Sequence, residues 1–462
     1  MYPVATKRCN CCPSYMLLHI CICLLVVGLS SGMTPPRPGD IASHTATAIP
    51  REEKKPPPPK SANKGSHEVD FIINSGKPMA RSLQEDEEEV QQSIQTVLVV
   101  SADGHPDHFP TVQAAVDAVP MWNYLRWIIY IKSGTYVGTV FIPEGKDYIT
   151  LLGEGADSTI LTFNRKACDK RPDGTKFTIL DCPSVIVEAS YFTAKDITFE
   201  NSSPKPADLD YDSQAPAIRI SGDNCAFYNC NFLGWQDTLY ADQGKHYYVG
   251  CHIEGNVDFI LGYARAVFES CTIYSRGEGF ITAQSRWCKD DCPGTADSAF
   301  VILRSNVTGY RLAEYNSTGT GLTYLGRPWR EFANVVFIDT TMGEHIAPEG
   351  WVDWLTDTGP LFSHNSVYFA EFGSTGPGAN ASARVDWSHQ LSDEEAEAYR
   401  DVTGFLEADT WLEAPPSLED LMKANLLQDE SWGRAVALEG HNSKKFPPRR
   451  WKNLSAKDQT TP

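Results

Sequence analysis

Positive charge is scarce in this chain. Its 40 Lys and Arg stand against 59 Asp and Glu, a formal charge of −19 over 462 residues. That balance argues against a nucleic-acid binder or a protein held on anionic lipid. Histidine is missing where a metal would need it: "CKDDC" at 288–292 has no accompanying His cluster, so its spacing does not read as a zinc site. No long helical pattern runs between about residues 121 and 390, which excludes a helical bundle. The longest apolar stretch, "MLLHICICLLVVGLSSG" from Met16 to Gly32, is short for a membrane span. The one G-x-S-x-G match, "GLSSG" at 28–32, ends that stretch. It lacks the strand–turn–helix setting of a nucleophile elbow, which disfavours a serine esterase.

What is present begins with export. Lys7 and Arg8 precede the apolar stretch and small residues follow it, the pattern of a signal peptide over residues 1–32. The alternative is a retained anchor, helped by palmitoylation of Cys9, Cys11 or Cys12. Outside this segment stand Cys168, Cys182, Cys225, Cys230, Cys251, Cys271, Cys288 and Cys292, and an even count in an exported chain favours disulfides. N-x-S/T triplets at Asn201, Asn306, Asn316, Asn380 and Asn453 fit a secreted glycoprotein. Residues 33–92, with "KKPPPPK" and "EDEEE", cannot bury a core and read as a disordered linker or pro-segment.

Order begins at "QTVLVVSADG" (95–104). In "HFPTVQAAVDAVP" (108–120), Val112, Ala115, Val116 and Val119 fall at helical spacing. Short β-rich runs then alternate with Gly, Asn and Asp. "YNCNF" (228–232), "VGCHI" (249–253) and "ESCTI" (269–273) share one form, their cysteines 21 and then 20 residues apart. A strand-rich period near 20 residues reads as a parallel β-helix, whose coils stack at about 4.8 Å. Cysteines one coil apart then fall within disulfide range. A β-sandwich stays open on periodicity alone. "SDEEAEAYRDVTGFL" (392–406) opens with a capping box, Ser392 with Glu395, and places Ala396, Tyr399, Val402 and Phe405 on one face. This predicts a helix packed back on the solenoid. Residues 414–462, ending near "SKKFPPRRWK", read as a tail.

In "GWQDTLYADQGKHYYVGCHIEGNVDFILG" (234–262), Asp237 and Asp258 are separated by 21 residues. On a 21-residue coil they occupy equivalent places on adjacent turns. Two neighbouring carboxylates cannot both ionise easily, so one pKa rises, and the pair divides into an acid/base and a nucleophile or base. Spacing alone leaves open a pair of turn aspartates on opposite faces.

Several separate blocks over residues 95–413 resemble the plant-type pectin methylesterases: "GWQDTLY", "DFILG", "YLGRPW" (324–329) and "QAPAIRI" (214–220), with weaker matches in "LLGEG" and "GTY". The resemblance implies an all-β, right-handed parallel β-helix with short capping and C-terminal helices over 93–413, acting on methylesterified homogalacturonan in the cell wall. It implies Asp258 as nucleophile, Asp237 as acid and base, Gln214 and Gln236 as oxyanion donors, and Arg327 as the group that holds Asp258. Neutral amides stabilise an oxyanion without quenching the nucleophile, and Arg gives a carboxylate a rigid charged fork. Tyr240, Tyr324, Trp329 and Trp351 match positions lining or supporting the sugar cleft; for Trp351, plain packing stands beside that reading. The resemblance calls for no metal and no cofactor, and for a monomer with a proteinaceous inhibitor as a further partner. Leu261, Tyr263, Gly138 and Ser285 depart from the family's usual residues, and residues 33–92 show no counterpart of its inhibitor-like helical domain. Pectate lyases and polygalacturonases share the architecture, and so would a catalytically silent wall-binding relative. The intact set of Gln, Asp and Arg favours the esterase.

Overall fold

A computed structural model describes residues 94–206, 213–288, 298–310, 322–356 and 359–423. The expected signal segment, the 33–92 linker, Cys292, the triplets at Asn316 and Asn453 and most of the 414–462 tail lie outside these residues.

Each coil of the central region makes three short strands. One coil runs through Cys225–Tyr228, Asn231–Leu233 and Leu239–Ala241, and the next begins at Lys245–Val249. Every strand pairs in parallel with its equivalent one coil away: Phe227 with Tyr248 with Phe268, and Asn231 with His252 with Thr272. The result is a parallel β-helix. Among the described residues, one sheet has eleven strands; the other two faces form a thirteen-stranded sheet, joined by the long strands His252–Gly262 and Thr272–Gln284. A sandwich is excluded, because among the described residues the small pair Leu355–Thr356 and Gly359–Pro360 is the only antiparallel pair of strands.

The pentapeptide repeat has a physical cause. Its corner residue is left-handed on each coil: Asn229 (φ 50°), Gly250 (φ 63°) and Ser270 (φ 52°), and the following cysteine turns inward. Asn and Gly tolerate this conformation at low cost. In register behind them, Phe227, Tyr248 and Phe268 stack nearly flat, at 4.9 and 4.7 Å between centroids.

The disulfide expectation is corrected here. Cys168 and Cys288 are disulfide-bonded, but Cys182, Cys225, Cys230, Cys251 and Cys271 are buried free thiols. In-register parallel strands hold side chains alongside one another at the strand spacing, wider than a disulfide's Cβ–Cβ distance of about 3.8 Å. The thiols instead donate to backbone carbonyls of the preceding coil, Cys251 to Phe227 and Cys271 to Tyr248, both at 3.5 Å.

The helix Val112–Ala118 starts at Thr111, whose hydroxyl accepts from the Ala114 amide, and buries Val112, Ala115 and Val116 against the first coils. The capping box at Ser392 and Glu395 forms. The expected single helix is two, Asp393–Arg400 and Val402–Leu406, because Asp401 leaves helical geometry (ψ 83°) and its carboxylate caps the second through Gly404 N–H. Ala396 and Leu406, with Tyr399, Val402 and Phe405, cover the outer side of the eleven-stranded sheet. The first residues of the expected tail are ordered too: Leu418–Lys423 is helical and seats Leu421 on Val97, Ile128 and Leu152.

Candidate active site

Registers settle the relation of the two aspartates. Leu239 pairs with Ile260 and Gln236 with Val257, so Asp237 and Asp258 are equivalent residues of adjacent coils. Both are left-handed, at φ 63° and 51°, and both sit at the corner where the chain turns onto the third face. Aspartate is among the few residues that accept this conformation. The Asp237 amide donates to Val257 O at 3.0 Å. Each carboxylate residue is 5% exposed.

Arg327 arrives from two coils further on. Its strand, Thr323–Pro328, pairs with Thr272–Gln284, and the outward column reads Arg219, Tyr240, Leu261, Ala283, Arg327. Ala283 leaves the space across which the guanidinium reaches Asp258. Two bonds form there, Nε to Oδ1 at 2.9 Å and Nη2 to Oδ2 at 2.6 Å, the bidentate match that only arginine offers. Gly326 lets this strand lie close: a Cβ there would stand 2.0 Å from Thr282 Oγ1. The guanidinium lies between two rings, 4.0 Å from Phe280 and 4.1 Å from Trp354.

The environments of the two carboxylates differ. Burial pushes the Asp237 carboxyl well above the usual range, the Asp258 charge raises it further, and Arg327 opposes both. Of the pair, Asp237 is thus the carboxyl held toward its protonated form, while Asp258 is the one that carries the Arg327 fork.

Gln236 is buried beside Asp237, and its backbone carbonyl accepts from Ala215 N–H at 3.1 Å. Gln214 precedes Ala215 on the neighbouring coil, half-buried. The two glutamines thus lie on adjacent coil segments joined by this backbone bond, Gln236 directly before Asp237 in the chain. Tyr240 and Trp329 meet with centroids 6.1 Å apart in a cluster with Leu261, Ala283 and Trp354. Tyr324, half-buried, stacks on Phe280 at 5.9 Å. Leu261, a departure from the family pattern, forms the floor of this cluster at 2% exposure.

Trp351 is a correction. It is 1% exposed, stacked on Phe369 at 4.4 Å, and its Nε1–H donates to Glu371 at 3.1 Å. It pairs with Gly326 beneath the Arg327 strand and cannot touch a sugar. Trp354, three residues on, reaches the site instead. Sequence reasoning missed it and Phe280; the signal was "GWVDW" (350–354), two tryptophans of which one had to face outward. Asn201 is a second revision. It is 3% exposed, with Nδ2 donating to Arg165 O and Pro216 O, so this triplet is structural. Asn306 and Asn380 are exposed.

A family model described as Pectinesterase matches residues 97–409. Pectinesterase 31 of Arabidopsis thaliana is 42% identical over 303 residues, which are 64% of this chain and 88% of that protein. Probable pectinesterase 8 of the same plant is 37% identical over 316 residues, 66% of this chain and 74% of that one. Among solved structures, the pectin methylesterase from carrot superposes with a TM-score of 0.60 at 33% identity, covering 70% of this chain and 97% of its own. That from Aspergillus niger gives 0.54 at 30%, covering 69% and 95%. The β-helix coil, the paired carboxylates with their arginine and these relatives agree: the chain belongs to the pectinesterase family.

Proposed function

We propose that this enzyme, which hydrolyses the methyl esters of pectin, does so through a covalent aspartyl intermediate. The observation that carries the reading is the division of the carboxylate pair: Asp258 held by the Arg327 fork, Asp237 buried and raised. An Asp258 oxygen attacks the ester carbonyl carbon, and the tetrahedral oxyanion accepts hydrogen bonds from the Gln214 and Gln236 amides. Collapse breaks the bond to methoxide, which leaves as methanol with the Asp237 proton. Asp237, now a carboxylate, takes a proton from water as that water attacks the acyl carbon. The second collapse returns Asp258 as a carboxylate and releases a galacturonate carboxyl, with Asp237 protonated again. No proton is left over at the end of the cycle.

Aromatic faces at Tyr324, Trp329 and Trp354 fit pyranose rings beside the reacting unit, with Tyr240 beneath them. Export to the cell wall, monomeric action and control by a proteinaceous inhibitor over the cleft belong to the same proposal. The N-terminal apolar stretch and the wall polysaccharide as substrate support the first of these.

The test is methanol and free-carboxylate release from highly methylated pectin. Asp258→Ala should lower turnover by on the order of 10⁴-fold or more while pectin binding stays. Near wild-type release by that variant would sink the mechanism. Chain cleavage or unsaturated ends without methanol would point to polygalacturonase or lyase chemistry instead.

A further inference from the structure

A second cavity, of about 620 Å³, opens on the outer side of the eleven-stranded sheet. The aspartates face outward from another side of the coil. Its size falls within the roughly 300–1,000 Å³ of small-molecule sites. The strands Asn334–Ile338 and Tyr368–Phe372 begin in its floor, with Asn334 and Tyr368 as register partners. Trp387, Arg286, Asp386 and His389 complete the wall that matters here. The lining therefore combines flat aromatic faces with acid, base and amide groups, the mixture that sugars take.

Each ring is held in place. The Trp387 indole stacks on His364 with centroids 4.8 Å apart, and Tyr368 on His389 at 4.9 Å. Gln284 fixes the far wall: its Oε1 accepts from Arg286 N–H at 3.0 Å and from Asn334 N–H at 2.9 Å. One group is unsatisfied. Asn334 Oδ1 is buried without a hydrogen-bond partner, and buried amide oxygens are seldom left so. Its terminal torsion is soft, so a modest rotation turns the amide toward a hydroxyl in the cavity.

We propose that this cavity is a second pyranose site, which takes a galacturonate unit of the polysaccharide outside the catalytic cleft. The sugar stacks on Trp387 and Tyr368, its hydroxyls meet Asn334 and Asp386, and its free carboxylate lies toward Arg286 and His389. The identity of the sugar rests on pectin being the substrate. A carboxylate subsite gives a protein of formal charge −19 a local hold on a product that its overall charge repels. The cavity is also tied to the cleft through one loop. His364 Nε2 bonds Asp353 at 2.5 Å, and the next residue, Trp354, lies on Arg327.

The experiment is calorimetric titration of the full chain with trigalacturonate and, separately, with its fully methylated counterpart. The wild type should bind trigalacturonate at two sites. His389→Ala and Asn334→Leu should weaken one of them at least tenfold, with unchanged thermal melting and unchanged turnover of a short methylated oligosaccharide. A one-site isotherm in the wild type would overturn the proposal, as would two sites indifferent to both variants. Equal affinity of the methylated trimer for the second site would overturn the carboxylate assignment. Methanol release from the same samples separates this proposal from the esterase reading. Two-site binding without methanol would refute only the esterase, and one-site binding with full methanol release would refute only the cavity.

Discussion

Trp351 and Trp354 are three residues apart, and replacing each with alanine should have opposite effects. Trp354→Ala removes one of two aromatic plates from the Arg327 guanidinium, leaving Phe280 at 4.0 Å and both bonds to Asp258. A cation over a ring contributes about 0.5–2 kcal/mol, more where water is excluded. The Arg327 side chain is 17% exposed, which places this contact in the upper part of the range, at about 1–2 kcal/mol. Expressed fully in the transition state, that is a fall in kcat/KM of about 5- to 30-fold, with a loss of stability smaller than that of a core truncation. Trp351→Ala instead empties a position that is 1% exposed and removes a donor from Glu371, which is itself paired with Arg384 at 2.8 Å. Deleting an indole from a core costs about 3–5 kcal/mol. Its urea midpoint should drop while the folded fraction keeps its turnover. The assay is kcat/KM on methylated pectin beside urea unfolding for each variant. A Trp351→Ala protein with an unchanged midpoint and a raised KM would refute the placement, as would a Trp354→Ala protein that loses only stability.

Three further outcomes follow from the same geometry. Asp237, with its folded pKa above the ordinary 3.8, lends stability that is complete below 3.8 and disappears as pH rises through the folded value. Asp237→Asn should therefore unfold at higher urea than wild type at pH 7 and show no such gain at pH 3, while losing most activity; equal midpoints at pH 7 would contradict the raised pKa. Peptide mapping of protein from a glycosylating host should find Asn201 bare, and an occupied Asn201 would mean that its two carbonyl contacts are not those of the native fold. The five buried thiols, raised by burial where Cys182, Cys225, Cys230 and Cys251 are concerned, should react with a thiol reagent only after unfolding; rapid labelling of the native enzyme would count against the inward cysteine ladder.

The coil was legible because its geometry repeats. A left-handed corner followed by an inward cysteine recurs at Asn229–Cys230, Gly250–Cys251 and Ser270–Cys271, and the same period aligned Asp237 with Asp258. The cysteines were misjudged as bridges for the same reason that they were noticed. Period reports that residues stack, but not that their Cβ bonds run parallel. Arg327 could be named from "YLGRPW", yet its aromatic clamp could not. Phe280 and Trp354 come from different coils, and no local pattern distinguishes the outward Trp354 from the inward Trp351. The break at Asp401 was hidden by apolar spacing that continues across it, while the polar side chain that ends one helix begins the next.

The ionisable groups of the site are distributed along the axis of the coil: Asp237 on one turn, Asp258 on the next, Arg327 two turns nearer the C-terminal end. A stacked array holds each turn mainly by its neighbours, so turns are lost from the ends inward. Fraying from the C-terminal end then takes away the arginine before it disturbs either aspartate. Heat inactivation should run ahead of the loss of β-structure, and its order of failure is written into the winding. The fastening against it lies deep on that side, where Trp351 sits below Gly326 and is tied through Glu371 to Arg384. The lifetime of the aspartate–arginine array is thus governed by a buried joint that lies beneath it.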